Sequence, residues 1–189
     1  MKNKNKITKY FIFCTVFIIL LLEQYSIAQE YSSPMMAMLT KNYFAPTSEI
    51  ENLFKNNLQL GDSVIYTKVP RGLVISIDSL IFFKEGNDDL LDSAKPHLSA
   101  IANILRQINN NCIIESNTEF NSNKKSDYST NWELSTVRAG KIADYLIKNE
   151  HISPSKISAI GYGEYMPFST QSSNMDRRID FVIINYEAQ

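Results

Sequence analysis

Asn131, Ser135 and Arg138 are the side chains of this sequence best spaced to act together. They lie in Asn131-Trp132-Glu133-Leu134-Ser135-Thr136-Val137-Arg138-Ala139, whose apolar positions repeat at helical spacing. Thr130 followed by Glu133 makes a capping box, so a helix is expected to start at Asn131. With Leu134 at zero and a step of ~100° per residue, Tyr145, Ile142, Leu146 and Ala139 fall between ~20° and ~140°. Arg138 at ~40°, Asn131 at ~60° and Ser135 at ~100° lie inside that apolar arc. A guanidinium on a buried face needs an anion, because an unpaired buried charge is costly. That anion is either an internal carboxylate, Glu119 or Asp180, or one brought by a ligand. Free N–H groups at the helix start also favour an anion, and the planar fork of arginine matches a carboxylate.

Other chemistries find little support. The histidines are His97, which follows Pro96, and His151, in Asn149-Glu150-His151 at a helix end where a cation is favourable. Neither stands beside a nucleophile motif. Asp88, Asp89 and Asp92 match no metal-ligand loop and read as an acidic helix start. Gly161-Tyr162-Gly163 lacks the third glycine of a phosphate-binding loop. We therefore expect no enzymatic activity, no metal and no cofactor. A net charge of -1 offers no basic face, which argues against nucleic acid as a partner.

Several elements must hold the trio in place. A short helix is expected from a Thr47 cap, with Ile50, Leu53, Phe54 and Leu58 on one face and Gly61 at its end. Ser63 to Val69 and Leu73 to Asp78 form a hairpin about Pro70-Arg71-Gly72. Leu80 to Phe83 is a further apolar piece, followed by a polar loop at 84–89. Leu90 to Gln107 reads as a helix, with Pro96 early enough to be tolerated. Cys112 to Glu115 is a strand, and Cys112 is expected to be buried and inert. A long polar loop follows to Thr130, then a helix from Asn131 to Asn149. Ile157 to Ile160 is a strand, Gly161 to Met175 a Gly- and Ser-rich loop, and Arg178 to Tyr186 a final strand. That last strand is apolar on both faces, hence central. The order implies an α/β sandwich, β-α-β-α-β-β after the hairpin strand, with helices on a mixed sheet.

The N-terminus reads as an export signal. Lys2, Lys4, Lys6 and Lys9 precede the apolar run Tyr10 to Leu22, and Ser26-Ile27-Ala28 supplies small residues for cleavage after Ala28. An uncleaved anchor over Ile7 to Leu22 is the other reading. The expected organisation is a signal peptide or anchor at 1–28, a linker and short helix at 29–61, and one domain at 62–187. If the leader is cleaved, Cys112 is left without an internal disulfide partner.

The Asn131–Ala139 stretch resembles the N-x-x-L-S-x-x-R-A signature of OmpA-like peptidoglycan-binding domains, and its Trp-Glu version is most similar to MotB. Gly161-Tyr162-Gly163-Glu164-Tyr165-Met166-Pro167 resembles the family's G-x-G-E-x-x-P loop. Asp176-Arg177-Arg178-Ile179-Asp180 resembles its N-R-R-V-E strand entry. The resemblance spans roughly residues 62 to 187 and implies an OmpA-C-like fold. It also implies a ligand, the diaminopimelate of the peptidoglycan stem peptide. By that resemblance Arg138 would clasp a carboxylate, and Asn131 would hydrogen-bond in the same pocket. Ser116-Asn117-Thr118-Glu119 stands where the family has G-H-T-D. Thr118 is thus kept, and Glu119 would replace the amine-binding aspartate with a longer carboxylate. Arg178 is expected to support the pocket rather than touch the ligand. The implied function is a non-enzymatic periplasmic module that anchors an envelope protein or complex to peptidoglycan, at the wall or outer membrane. The alternative is a degenerate copy serving as a structural subunit of an envelope machine such as a secretion system. A motor role is not expected, since Ile7 to Leu22 holds no carboxylate to relay ions. The two readings differ in geometry. Wall binding places Glu119 and Arg138 on one open cleft, whereas a structural role pairs them or plugs Arg138 with Asp180.

Overall fold

The computed structural model describes residues 44–120, 127–168 and 175–185. The leader and linker to residue 43, and the 121–126 and 169–174 parts of the two polar loops, lie outside them. Among the described residues three α-helices and five strands follow in order: α1 (Thr47–Asn57), β1 (Val64–Val69), β2 (Gly72–Asp78), α2 (Lys95–Gln107), β3 (Cys112–Asn117), α3 (Asn131–Lys148), β4 (Ile157–Gly163) and β5 (Arg178–Ile184). The sheet order is β1-β2-β5-β3-β4. Only β3 and β4 run parallel, joined by the α3 crossover that a parallel pair requires. The expected mixed sheet with helices packed on it is present.

Alternation along the strands separates two faces. Leu73, Ile75 and Ile77 of β2, Ile114 of β3, and Ile179, Phe181 and Ile183 of β5 point into one core with Phe54, Leu98, Leu105, Ile142 and Leu146 of the helices. β5 is the middle strand and is buried from Arg178 to Ile183, as its two-faced apolarity requires.

Boundaries differ from the sequence reading for local reasons. The residue preceding α1 is Pro46, whose side chain cannot accept a capping bond, so Thr47 is the first helical residue rather than the cap. The helix stops at Asn57, and Gly61 instead opens a separate 3-10 turn with φ of 54°. Ile50 and Phe54 belong to the main core, and Asn110 binds both the N–H and the carbonyl of Ala45. Residues of α1 thus pack on the same core as the rest of the compact unit that includes Phe44 onward. α2 starts at Lys95 rather than Leu90: Leu90 bridges back to Phe83, and residues 92–94 form a single 3-10 turn. Pro96 is then in the first turn, where its missing N–H has no partner to lose. β3 runs on to Asn117, and β4 to Gly163, so Gly161 to Gly163 are strand rather than loop.

Cys112 is 1 % exposed on β3, and burial pushes its thiol up to about 12. The reactive species is the thiolate. Alkylation by iodoacetamide at pH 8 is therefore expected only once the protein is unfolded. Native labelling at the rate of a free thiol, read by mass spectrometry, would contradict this packing.

A candidate ligand site at one end of the sheet

The register aligns Asp78 of β2, Arg178 of β5, Asn117 of β3 and Gly163 of β4 in one row at one end of the sheet. The N-terminus of α3 is brought to the same end. Thr130 caps it by accepting from the Glu133 N–H at 3.1 Å. The reciprocal bond reaches one residue further back than in a standard box, from the Ser129 N–H to Glu133 Oε2 at 3.0 Å. Gly161 lets α3 lie against β4. A Cβ there would stand 2.3 Å from Thr136 N and 2.6 Å from Ser135 Oγ. Ser135 Oγ in turn accepts from the Gly163 N–H at 2.9 Å, locking helix to strand. Gly161→Ala is therefore expected to lower stability by about 1–3 kcal/mol through overpacking. Urea denaturation reads this directly, and an unchanged midpoint would refute the close approach.

All three members of the polar trio are buried: Asn131, Ser135 and Arg138 are 5 %, 0 % and 2 % exposed. The partners of Arg138 are neither of the two carboxylates considered. Its Nε donates to the Asn87 carbonyl at 2.8 Å and its Nη2 to the Lys84 carbonyl at 2.9 Å. Its guanidinium also lies 5.2 Å from the centre of the Phe83 ring. These acceptors are neutral. Burial lowers the Arg138 pKa to about 10, and the nearest opposing influence is the charge of Asp88, itself engaged by Lys141 at 2.8 Å. Arg138 stays protonated at neutral pH with no carboxylate partner among the described residues.

Glu119 is half-buried and pairs with Arg177 at 3.4 Å, and Arg177 also faces Asp78. The backbone carbonyl of Glu119 accepts from Asn131 Nδ2 at 3.4 Å, which ties the end of β3 to the start of α3. Thr118 donates its N–H to the Gly163 carbonyl at 2.9 Å, while its Oγ1, buried, has no partner. Ser116 Oγ is likewise buried and unpaired. The end of β3 thus holds two orphaned hydroxyls, Ser116 Oγ and Thr118 Oγ1. Arg178 sits elsewhere, on the sheet face away from the helices, and clasps Asp180 at 2.9 Å. Of the five candidate residues, Thr118, Glu119 and Asn131 come together by direct bonds or sequence. Arg138 follows Asn131 two turns along the same buried helix face, and Arg178 is separate. An open cleft of about 440 Å³ lies beside Asn131, lined by Thr130, Trp132, Glu164 and Tyr165. Trp132 is 58 % exposed, and its ring centre lies 6.0 Å from that of Tyr165.

Sequence reasoning missed Arg177 as the partner of Glu119 and the 84–87 loop as the partner of Arg138. Two adjacent arginines on a strand entry must point to opposite faces, a signal that could have separated Arg177 from Arg178. Backbone acceptors leave no such trace.

Comparison with known proteins gives the family and the fold. Residues 82–180 match the OmpA family. Motility protein B of Bacillus subtilis is 31% identical over 143 residues, covering 72% of this chain and 54% of that protein. The chain spans about half the length of the curated relatives it matches. A putative MotB-like protein from Desulfovibrio vulgaris superposes with a TM-score of 0.64 at 22% identity, covering 75% of this chain and 92% of that one. The cell wall anchor of the T6SS from Pseudomonas aeruginosa superposes at 0.57 and 19% identity, covering 71% and 96% respectively.

Proposed function

The chain belongs to the OmpA family, and from that premise we propose that it is a non-enzymatic module that binds peptidoglycan through the diaminopimelate of the stem peptide. It would thereby hold an envelope protein or complex to the cell wall from the periplasm. The observation that carries the reading is Arg138: a buried, protonated guanidinium whose acceptors are two neutral carbonyls. Its Nη1 makes no hydrogen bond among the described residues, and a ligand carboxylate would supply the missing charge. Thr118 Oγ1 and Asn131 add polar groups to the same end of the sheet, and Glu119 offers a carboxylate for the ligand's ammonium. Likeness to a cell wall anchor supports the fold on which such a site would be carried. Among the described residues no helix is long and apolar enough to cross a membrane.

A second reading, a structural subunit of an envelope machine such as a secretion system, has one observation in its favour. Arg138 already spends two donors on the 84–87 loop and is 2 % exposed. Co-sedimentation with purified diaminopimelate-type sacculi decides between them. Retention of the protein supports wall binding, and its absence from the pellet would leave the structural reading.

A further inference from the structure

We propose that the helix-free face of the sheet carries a second binding site, for a carboxylate with an N–H donor on the adjacent carbon, as at the carboxyl end of a peptide. The site is the cavity of about 320 Å³ between β1, β2, β5, β3 and residues Met166 to Phe168. Its volume is at the small end of ligand sites.

The face has an unusual composition for a sheet surface on which no helix of the described residues packs. Ser76, Asp180 and Glu115 stand directly opposite one another on three neighbouring strands. They are 1 %, 3 % and 4 % exposed, so water does not solvate them freely. Two carboxylates facing each other across a strand pair repel unless each is matched. Arg178 matches Asp180 at 2.9 Å, and Arg71 holds Glu115 through two bonds of 2.7 and 2.9 Å. The floor of the cavity is thus polar, with each carboxylate matched by an arginine.

Two kinds of unused valence remain in it. Asn117, 1 % exposed, donates from Nδ2 to Asp180 at 3.1 Å, and this bond fixes the orientation of the amide. Its Oδ1 is left without a donor in a residue that lines the cavity, the kind of buried orphan that calls for a partner. Arg178 uses Nε on Asp180 and Nη1 on the carbonyls of Met166 and Met175, leaving Nη2 without a hydrogen bond among the described residues. Arg71 is exposed and has N–H groups beyond the two given to Glu115. An acceptor at the floor and guanidinium donors beside it fit an N–H and a carboxylate on one carbon. Val69, Val74, Pro167 and Phe168 supply a wall for a small aliphatic side chain.

The test is calorimetric titration of the full chain with N-acetyl-alanyl-alanine and with the same peptide ending in a carboxamide. Binding of the acid is expected, weakened ~10-fold by the carboxamide and ~10-fold by Asn117→Leu, the scale of one charged or buried hydrogen bond. Phe168→Ala on the wall is expected to weaken it several-fold, and it decides the matter if Asn117→Leu does not fold. Arg138→Ala should leave this binding unchanged, since that residue belongs to the other site. No binding to the wild type, equal binding of the carboxamide, or loss in Arg138→Ala with retention in Asn117→Leu would each overturn the proposal. Sacculus binding can fail without affecting any of these outcomes.

Discussion

Arg138→Ala is expected to release the protein from diaminopimelate-type sacculi while leaving it folded. Truncating one partner of a buried, hydrogen-bonded charge pair costs about 2–5 kcal/mol of binding, or ~30-fold to several-thousand-fold in affinity. At concentrations where wild type is mostly pelleted, the variant should then stay in the supernatant. The effect on stability is smaller because two changes oppose each other. The variant leaves the carbonyls of Lys84 and Asn87 without their donors, about 1–3 kcal/mol for each group if it stays dry. It also removes a charge whose burial outweighs the opposing charge of Asp88, so that its pKa is lowered to about 10. Arg138→Lys separates charge from geometry: a lysine keeps the charge but lacks the fork, so partial retention is expected. Full retention of Arg138→Ala on sacculi, with a wild-type melting curve, would remove Arg138 from the site.

The fold was legible because its signals are local. The capping residues Thr130 and Glu133, the helical period through Leu98, Ile101 and Leu105, and the two apolar faces of β5 each depend on neighbours in the chain. The burial of Asn131, Ser135 and Arg138 was equally legible, since a helical wheel needs only the period of the helix. What Arg138 touches was not. Its acceptors are main-chain carbonyls 51 and 54 residues away, and every residue type has one. Charge alone makes Glu119 a candidate partner of Arg138, but the structure pairs it with Arg177. The helix-free face hid for a related reason. Ser76, Glu115 and Asp180 are ordinary polar alternations within their own strands, and only the register brings them into one row.

That register depends on one backbone position. Gly72→Ala is expected to cost about 4 kcal/mol or more, a large part of the ~5–15 kcal/mol that holds a domain of this kind together. Gly72 has φ of 142°, where side chains are rarely accommodated. A non-glycine residue forced into a sparsely populated region costs about 1–3 kcal/mol before any contact is made. The contact is worse: a Cβ would stand 1.9 Å from the Ile183 carbonyl oxygen and 2.8 Å from Asn185 N. Both atoms are backbone of the central strand's end, so no rotamer change can relieve them. The chain must instead pull β2 away from β5 where Gly72 pairs with Ile184, and break the bond from the Asn185 N–H to the Arg71 carbonyl. Gly61 is the control, with φ of 54° and no atom within 4 Å of a Cβ, so Gly61→Ala should cost only about 1–2 kcal/mol, the left-handed backbone penalty. Comparing the two variants by urea denaturation sets a positive-φ glycine against backbone beside one in open space. A Gly72→Ala midpoint as mild as that of Gly61→Ala would mean that the β2–β5 register can give, and with it the alignment of Asp180 against Ser76 and Glu115.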